Sequence, residues 1–288
     1  PTAARNAANT REGIVMPKPK TFSDLGRRYV ADRVISDAYR KHVIAVCRRL
    51  GEVSNTRLNA FLKRRLEQVS GITVCNERTI ALCVWLWAFH AGIVDEAPRG
   101  IAKLRARRTP TRAWTIADLK RLLDRTKRHD RETLKSGANK GEFFRAWILL
   151  GYESGARHGD LWRFSREHVK ADSLAWTQHK TGEPLTRTLS PACLDAVHAM
   201  LARSPDGTIL GWSCRRRQAM RLMRDLIDSA GLDGTSKWLR RSGATHCEME
   251  QPGAGRLHLG HRSPALFEQA YCDWSQLRTK TPKTPALM

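Results

Sequence analysis

Apolar residues recur at helical spacing from early in the chain. Between Phe22 and Leu50 they fall at Leu25, Tyr29, Val30, Val43 and Val46, and Gly51 supplies a stop. A further helix is expected after Ser54 or Asn55, carrying Leu58, Phe61 and Leu62. The next run differs in kind. From Asn76, read as an N-cap, Ile80, Leu82, Trp85, Leu86 and Phe89 lead to Gly92 with apolar side chains on more than one face, as in a helix packed inside a small bundle. Residues 20–96 therefore predict an all-helical domain, which follows a polar leader at 1–19.

The pattern stops at 97–113. Pro98, Gly100 and Pro110 interrupt any helix, and Arg99, Lys103, Arg105, Arg107, Arg108 and Arg112 stand there without an acidic residue. Charged linkers are ordinarily just solvated, but this one has the make-up of a strap that follows a phosphate backbone. A second domain is expected over 114–275. Thr115 caps a helix through Leu119, Leu122 and Leu123, and a longer one carries Phe143, Phe144, Trp147, Ile148 and Leu150 and ends near Gly155. Between Ser173 and Leu189 the period becomes two: Leu174, Trp176, Gln178 and Lys180 share one parity, and a Thr-Gly-Glu-Pro stretch leads to a second extended run. That predicts a β-hairpin. Helical spacing returns at Met220, Met223, Leu226 and Ile227 up to Gly231. Another helix can begin at Thr235 or Ser236 and must break by Pro252-Gly253. Ser263-Pro264 announces what reads as the final helix, with Leu266, Phe267, Ala270 and Tyr271, ahead of a tail at 276–288. The expected fold class is mainly α with a small β-hairpin, in two domains.

Charge narrows the choice of partner. Lys and Arg number 51 against 28 Asp and Glu, a formal net charge of +23. Such an excess suits nucleic acid or an anionic membrane surface. Apolar runs such as Ile80–Phe89 fall short of the roughly 20 residues that cross a bilayer, and Pro1–Pro19 lacks the apolar core of a secretory signal. Nucleic acid in an intracellular setting, with no membrane, is the expectation. The seven cysteines show no CxxC pair, so reduced thiols are expected, with no metal site and no cofactor.

Four segments of the second domain carry candidate chemistry: SGARHGDLWRF (154–164), QHKTGEP (178–184), KWLRRSGATH (237–246) and LGHRSPALFEQAY (259–271). Together they resemble the tyrosine recombinase (phage integrase) catalytic domain in order, setting and interval. The matching pattern is a Gly-x-Arg with an acid three residues on, a hairpin lysine, a His-x-x-Arg box, a Leu-Gly-His turn and a terminal tyrosine. The likeness extends over roughly residues 20–275. It implies a helical core-binding domain joined to a catalytic domain, and a site made of Arg157, Lys180, Lys237, Arg240, His261 and Tyr271, with Asp160 accessory. It also implies a double-stranded DNA recombination site as partner, a tetramer on DNA and a possible accessory directionality protein.

The residue types suit that chemistry. Two guanidiniums, Arg157 and Arg240, can neutralise charge on phosphate oxygens without losing their own. Asp160, three residues after Arg157, is expected to orient it and cap the first turn. Tyr271 falls four residues after Phe267 on the same face, and a free tyrosine, with a pKa near 10, needs neighbouring cations or a base to attack. The resemblance assigns Lys180 as general acid. One position departs from it: Lys237 stands where the family usually has histidine. Lysine keeps a donor and a charge but accepts a proton poorly, so Lys237 is expected on the phosphate and His261 as base. Two rivals remain open, a DNA-binding protein with decayed catalysis and a type IB topoisomerase-like enzyme.

Overall fold

The computed structural model describes residues 21–105 and 110–277, so Arg107, Arg108, the leader and the end of the tail lie outside the described residues. The chain divides between Thr109 and Pro110 into two compact units.

The first unit is built from α1 (Phe22–Asp32), α2 (Asp37–Leu50), α3 (Asn55–Leu66) and α4 (Gly71–His90). Each starts at a hydroxyl residue, Thr21, Ser36, Ser54 or Ser70, whose side chain accepts the third amide of its helix. That satisfies donors the helix itself leaves free. Phe22, Leu25, Val46, Leu62, Val84 and Trp85 form the buried interior.

Two expectations change here. The fourth helix begins at Gly71 rather than near Asn76, because Ser70 supplies the cap and Val74 is already fully buried. With that earlier start α4 is long and apolar enough to cross a membrane by length and composition, which the shorter reading had not allowed. Its surroundings are those of a bundle's central helix: it packs against α1, α2 and α3, and Glu77, only 1% exposed, is held by Arg49 at 2.8 Å and Arg65 at 3.0 Å. The second change concerns the linker. Arg99 N–H donates to Asn55 Oδ1 (2.8 Å), Ala102 N–H donates to Asn59 Oδ1 (2.9 Å), and Arg78 Nε donates to Ala102 O (2.7 Å). Ile101 and Leu104 pack against the helical core. An extended segment has no backbone partners of its own, and α3 and α4 provide them. The first half of the expected linker is thus part of this unit, while the side chains of Arg99, Lys103 and Arg105 stay exposed.

The second unit opens with α5 (Ile116–Thr126), started by a Thr115–Asp118 capping box. Next comes α6 (Lys140–Glu153), whose Phe143, Phe144, Trp147, Ile148 and Leu150 are all buried, so it forms the axis against which α5, α8 and α10 pack. It is followed by α7 (His158–Leu161), β1 (Ser173–Thr177), β2 (Pro184–Thr188), α8 (Pro191–Ala202), α9 (Arg216–Ser229) and α10 (Lys237–Glu250). The strands form an antiparallel hairpin with Leu174 opposite Arg187 and Trp176 opposite Leu185. The unit closes with α11 (Ala254–His258), α12 (Pro264–Ala270) and α13 (Trp274–Leu277). Ser263-Pro264 does start a helix, but Tyr271 lies just past its end as the C-cap, and α13 follows.

The approach of α10 to α6 fixes much of the site. A Cβ on Gly243 would run into the Tyr152 carbonyl, and Gly155, at φ +58°, has no room for one against the His258 ring. Only glycine permits that turn and that contact. The His258 imidazole fills the gap between them, and burial, with Arg187 and Arg240 nearby, pushes its pKa down to about 4. It is a packing histidine.

Candidate active site

Arg157, Lys180, Arg216, Lys237, Arg240 and Tyr271 line one cleft of about 440 Å³ in the second unit. Adding Arg241, six cationic side chains face it, and no carboxylate lines it among the described residues. Such a cleft favours a polyanion.

Arg240, one helical turn after Lys237 on α10, is only 6% exposed. Its Nη1 donates to Gly155 O, and its Nη2 reaches Leu259 O at 3.3 Å and His261 Nε2 at 3.0 Å. One guanidinium therefore ties the Gly155 turn to the Leu-Gly-His turn. Burial lowers its pKa to about 10, which leaves it charged at neutral pH. Its Cζ stands 5.2 Å from the Tyr271 ring centroid.

His261 stands behind the cleft wall, its ring edge-on to Tyr271 with centroids 4.7 Å apart. Burial, reinforced by Arg240 and Arg157, brings its pKa down to about 4, so the imidazole is neutral at pH 7. A guanidinium can only donate, so Nε2 must be the accepting nitrogen and the proton sits on Nδ1. Nδ1 is buried and has no partner among the described residues. The Nε2 lone pair that the expected base role would use thus faces Arg240.

Arg157 is the N-cap of α7, with an extended backbone at φ −71° and ψ 150°. Its Nη1 donates to Gln178 Oε1. The expectation that Asp160 orients Arg157 and caps the turn is not met. The i, i+3 row exists only inside a helix, and Arg157 lies outside one. Asp160, 5% exposed, instead accepts the His179 N–H at 3.1 Å and so holds the hairpin turn, and it adds a countercharge for Arg240.

Lys180 is exposed in that turn, and Lys237 is exposed at the start of α10. His158, beside Arg157, is pushed down to about 4 by burial and by Arg216 and Lys237. Arg112 is exposed at the chain's entry to the unit.

No family model matches the sequence, and no curated protein matches it. Solved structures do. A lambda integrase tetramer bound to a Holliday junction matches with a TM-score of 0.71 and 14% identity, covering 93% of this chain and 80% of that one. The Tn1549 transposon integrase in complex with circular intermediate DNA matches at 0.66 and 13%, covering 91% and 99%. XerH site-specific recombinase bound to difH substrate matches at 0.60 and 14%, covering 79% and 70%. The fold is that of the tyrosine recombinases.

On this tyrosine recombinase fold, three further residues bear on the site. Gln178, 1% exposed, accepts from Arg157 and from Thr181 Oγ1 (2.8 Å) and donates to Leu259 O (2.9 Å). Its parity with buried Leu174 and Trp176 was the available signal, since a polar side chain on the inward face of a strand needs partners. Arg216 lines the cleft from the first turn of α9, but nothing in sequence separates it from fifty other cations. Asp273, two residues after Tyr271, is buried without a cationic partner among the described residues.

Proposed function

We propose that this chain is a site-specific DNA recombinase that cuts and rejoins DNA through Tyr271. The observation that carries the reading is a half-buried tyrosine at the mouth of a cleft with six cations and no carboxylate among its described lining, flanked by Arg240 and His261. The Tyr271 oxygen attacks a backbone phosphorus, the bond from phosphorus to the 5′ oxygen breaks, and a 3′-phosphotyrosyl link and a 5′-hydroxyl result. Arg157, Arg240 and Lys237 stabilise the charge on the non-bridging oxygens, and His261, in contact with Arg240 through Nε2, helps hold that guanidinium in place. Lys180 gives a proton to the departing 5′ oxygen, and solvent takes the tyrosyl proton. A second strand's 5′-hydroxyl then reverses the attack. Bond energy is held in the covalent link, so no nucleotide cofactor is consumed.

The exposed Arg99, Lys103, Arg105 and Arg112, with Arg107 and Arg108, are assigned to the DNA backbone, and a tetramer on paired sites is the proposed assembly. The lambda integrase tetramer on its Holliday junction supports that assembly. The test is a nicked suicide substrate carrying a cognate site, which should trap a covalent adduct that peptide mass mapping places on Tyr271. An adduct on another residue, or none on cognate DNA, removes the reading.

The Lys237 assignment has its own test. Lys237→Ala should slow single-turnover cleavage about 100- to 1,000-fold, the range for one lost transition-state donor, while Lys237→His retains most of the rate. An unchanged rate in the alanine variant would take Lys237 off the phosphate.

A further inference from the structure

Two residues after Tyr271, Asp273 is 3% exposed. Its Oδ1 accepts from the Ser275 N–H (3.1 Å) and hydroxyl (2.6 Å), the bonds of an N-cap on α13. Capping does not explain the other oxygen. Oδ2 accepts the N–H of Ala113, 160 residues away in sequence, at 2.9 Å, and the Gln276 amide at 3.3 Å. Gln276 Nε2 in turn donates to Ala113 O at 2.9 Å, and Thr111 Oγ1 donates to Gln269 O at 3.3 Å. Thr111–Trp114, by which the chain enters the catalytic unit, is thus bonded to residues on both sides of Tyr271.

A second layer runs through α10, the helix that carries Arg240. The Asp273 N–H donates to Thr245 Oγ1 at 3.0 Å, and that hydroxyl reaches Tyr271 O at 3.4 Å. The Trp114 N–H donates to Ser242 Oγ at 2.9 Å. A buried carboxylate is costly unless its acceptor sites are filled, and here neutral donors fill them, with no ion pair to Asp273 among the described residues. The arrangement holds three things in one register: the entering chain, the phosphate-clamping helix and the nucleophile's backbone.

We propose that Asp273 is a positioning residue that sets Tyr271 against the scissile phosphate by tying its segment to residues 111–114. Cleavage, rather than DNA binding, then depends on the tie. Exposed Arg112 sits next to Ala113, so DNA held by that arginine would order the same segment and favour the attacking geometry. The proposal rests on Tyr271 being the nucleophile.

The full chain is tested on the nicked suicide substrate, with single-turnover cleavage at saturating protein measured separately from DNA affinity. Asp273→Ala, and Ala113→Pro from the other end of the bond, should each slow cleavage about 10- to 100-fold, the scale for a reacting group displaced by about an ångström. DNA affinity should stay within about twofold, and the double variant should be no slower than the slower single one, because both remove one interaction. Asp273→Asn keeps the volume and decides the matter if the other variants fail to fold; it should slow cleavage at least about fivefold with affinity retained. Unchanged cleavage in Asp273→Asn, a parallel loss of affinity, or additive effects in the double variant would overturn the proposal. Wild-type protein that forms no adduct at Tyr271 overturns the reading beneath it, whereas a wild-type adduct with unaffected Asp273 variants overturns only the tie.

Discussion

Arg240→Ala is expected to lower single-turnover cleavage about a thousandfold or more, the range for arginines that stabilise phosphoryl transition states, with much smaller change in DNA affinity. Most of the affinity should come from the many exposed cations, whereas Arg240 is buried where the Gly155 turn, the Leu-Gly-His turn and the tyrosine meet. Arg240 also lines the cleft beside Tyr271, which places its charge where a phosphate would sit. Arg240→Lys keeps the charge but cannot reach Gly155 O, Leu259 O and His261 at once, and should still lose about a hundredfold. The alanine variant also takes the donor from the Gly155 carbonyl, while Leu259 O keeps Gln178, so its melting temperature should be measured alongside. Folded Arg240→Ala that cleaves within about tenfold of wild type would remove Arg240 from the transition state.

Glu77→Ala is expected to destabilise the helical unit by about 3 kcal/mol, near the low end for breaking a buried ion pair. Glu77 receives Arg49 from α2 and Arg65 from α3, so one carboxylate joins three helices. Arg65 is mostly covered, but the Arg49 side chain is 44% exposed and can turn to water, which discounts its share. Denaturant unfolding followed by amide exchange in α2–α4 separates this unit from the other. A change below about 0.5 kcal/mol would show that helix packing alone holds the bundle.

Most helix starts were legible because caps are local chemistry. Ser54, Thr115 and Ser263-Pro264 each mark a boundary within a few residues of sequence. Asn76 misled because it too is a good cap, and only the burial of Val74 shows that the helix is already under way there. The cleft residues were legible by type and order. Their hydrogen bonds were not. Asp160 follows Arg157 at a helical spacing that does not apply to an extended N-cap, and the contact of His261 with Arg240 has no signal in the sequence. Asp273 carried no local signal at all, since its decisive partner is 160 residues away.

The Gln178 amide gives the hairpin turn a part in timing. Its carbonyl is shared by the Arg157 guanidinium and Thr181, and its NH₂ is fixed to Leu259 O. Lys180 rides on the same short turn. The lysine and the anchor of Arg157 therefore stand two residues apart in the sequence. On the proposed assignment, a retracted turn lacks the acid and one phosphate clamp together, and a seated turn supplies both. On that assignment the placement of one short turn governs both the proton for the leaving oxygen and the orientation of one phosphate clamp.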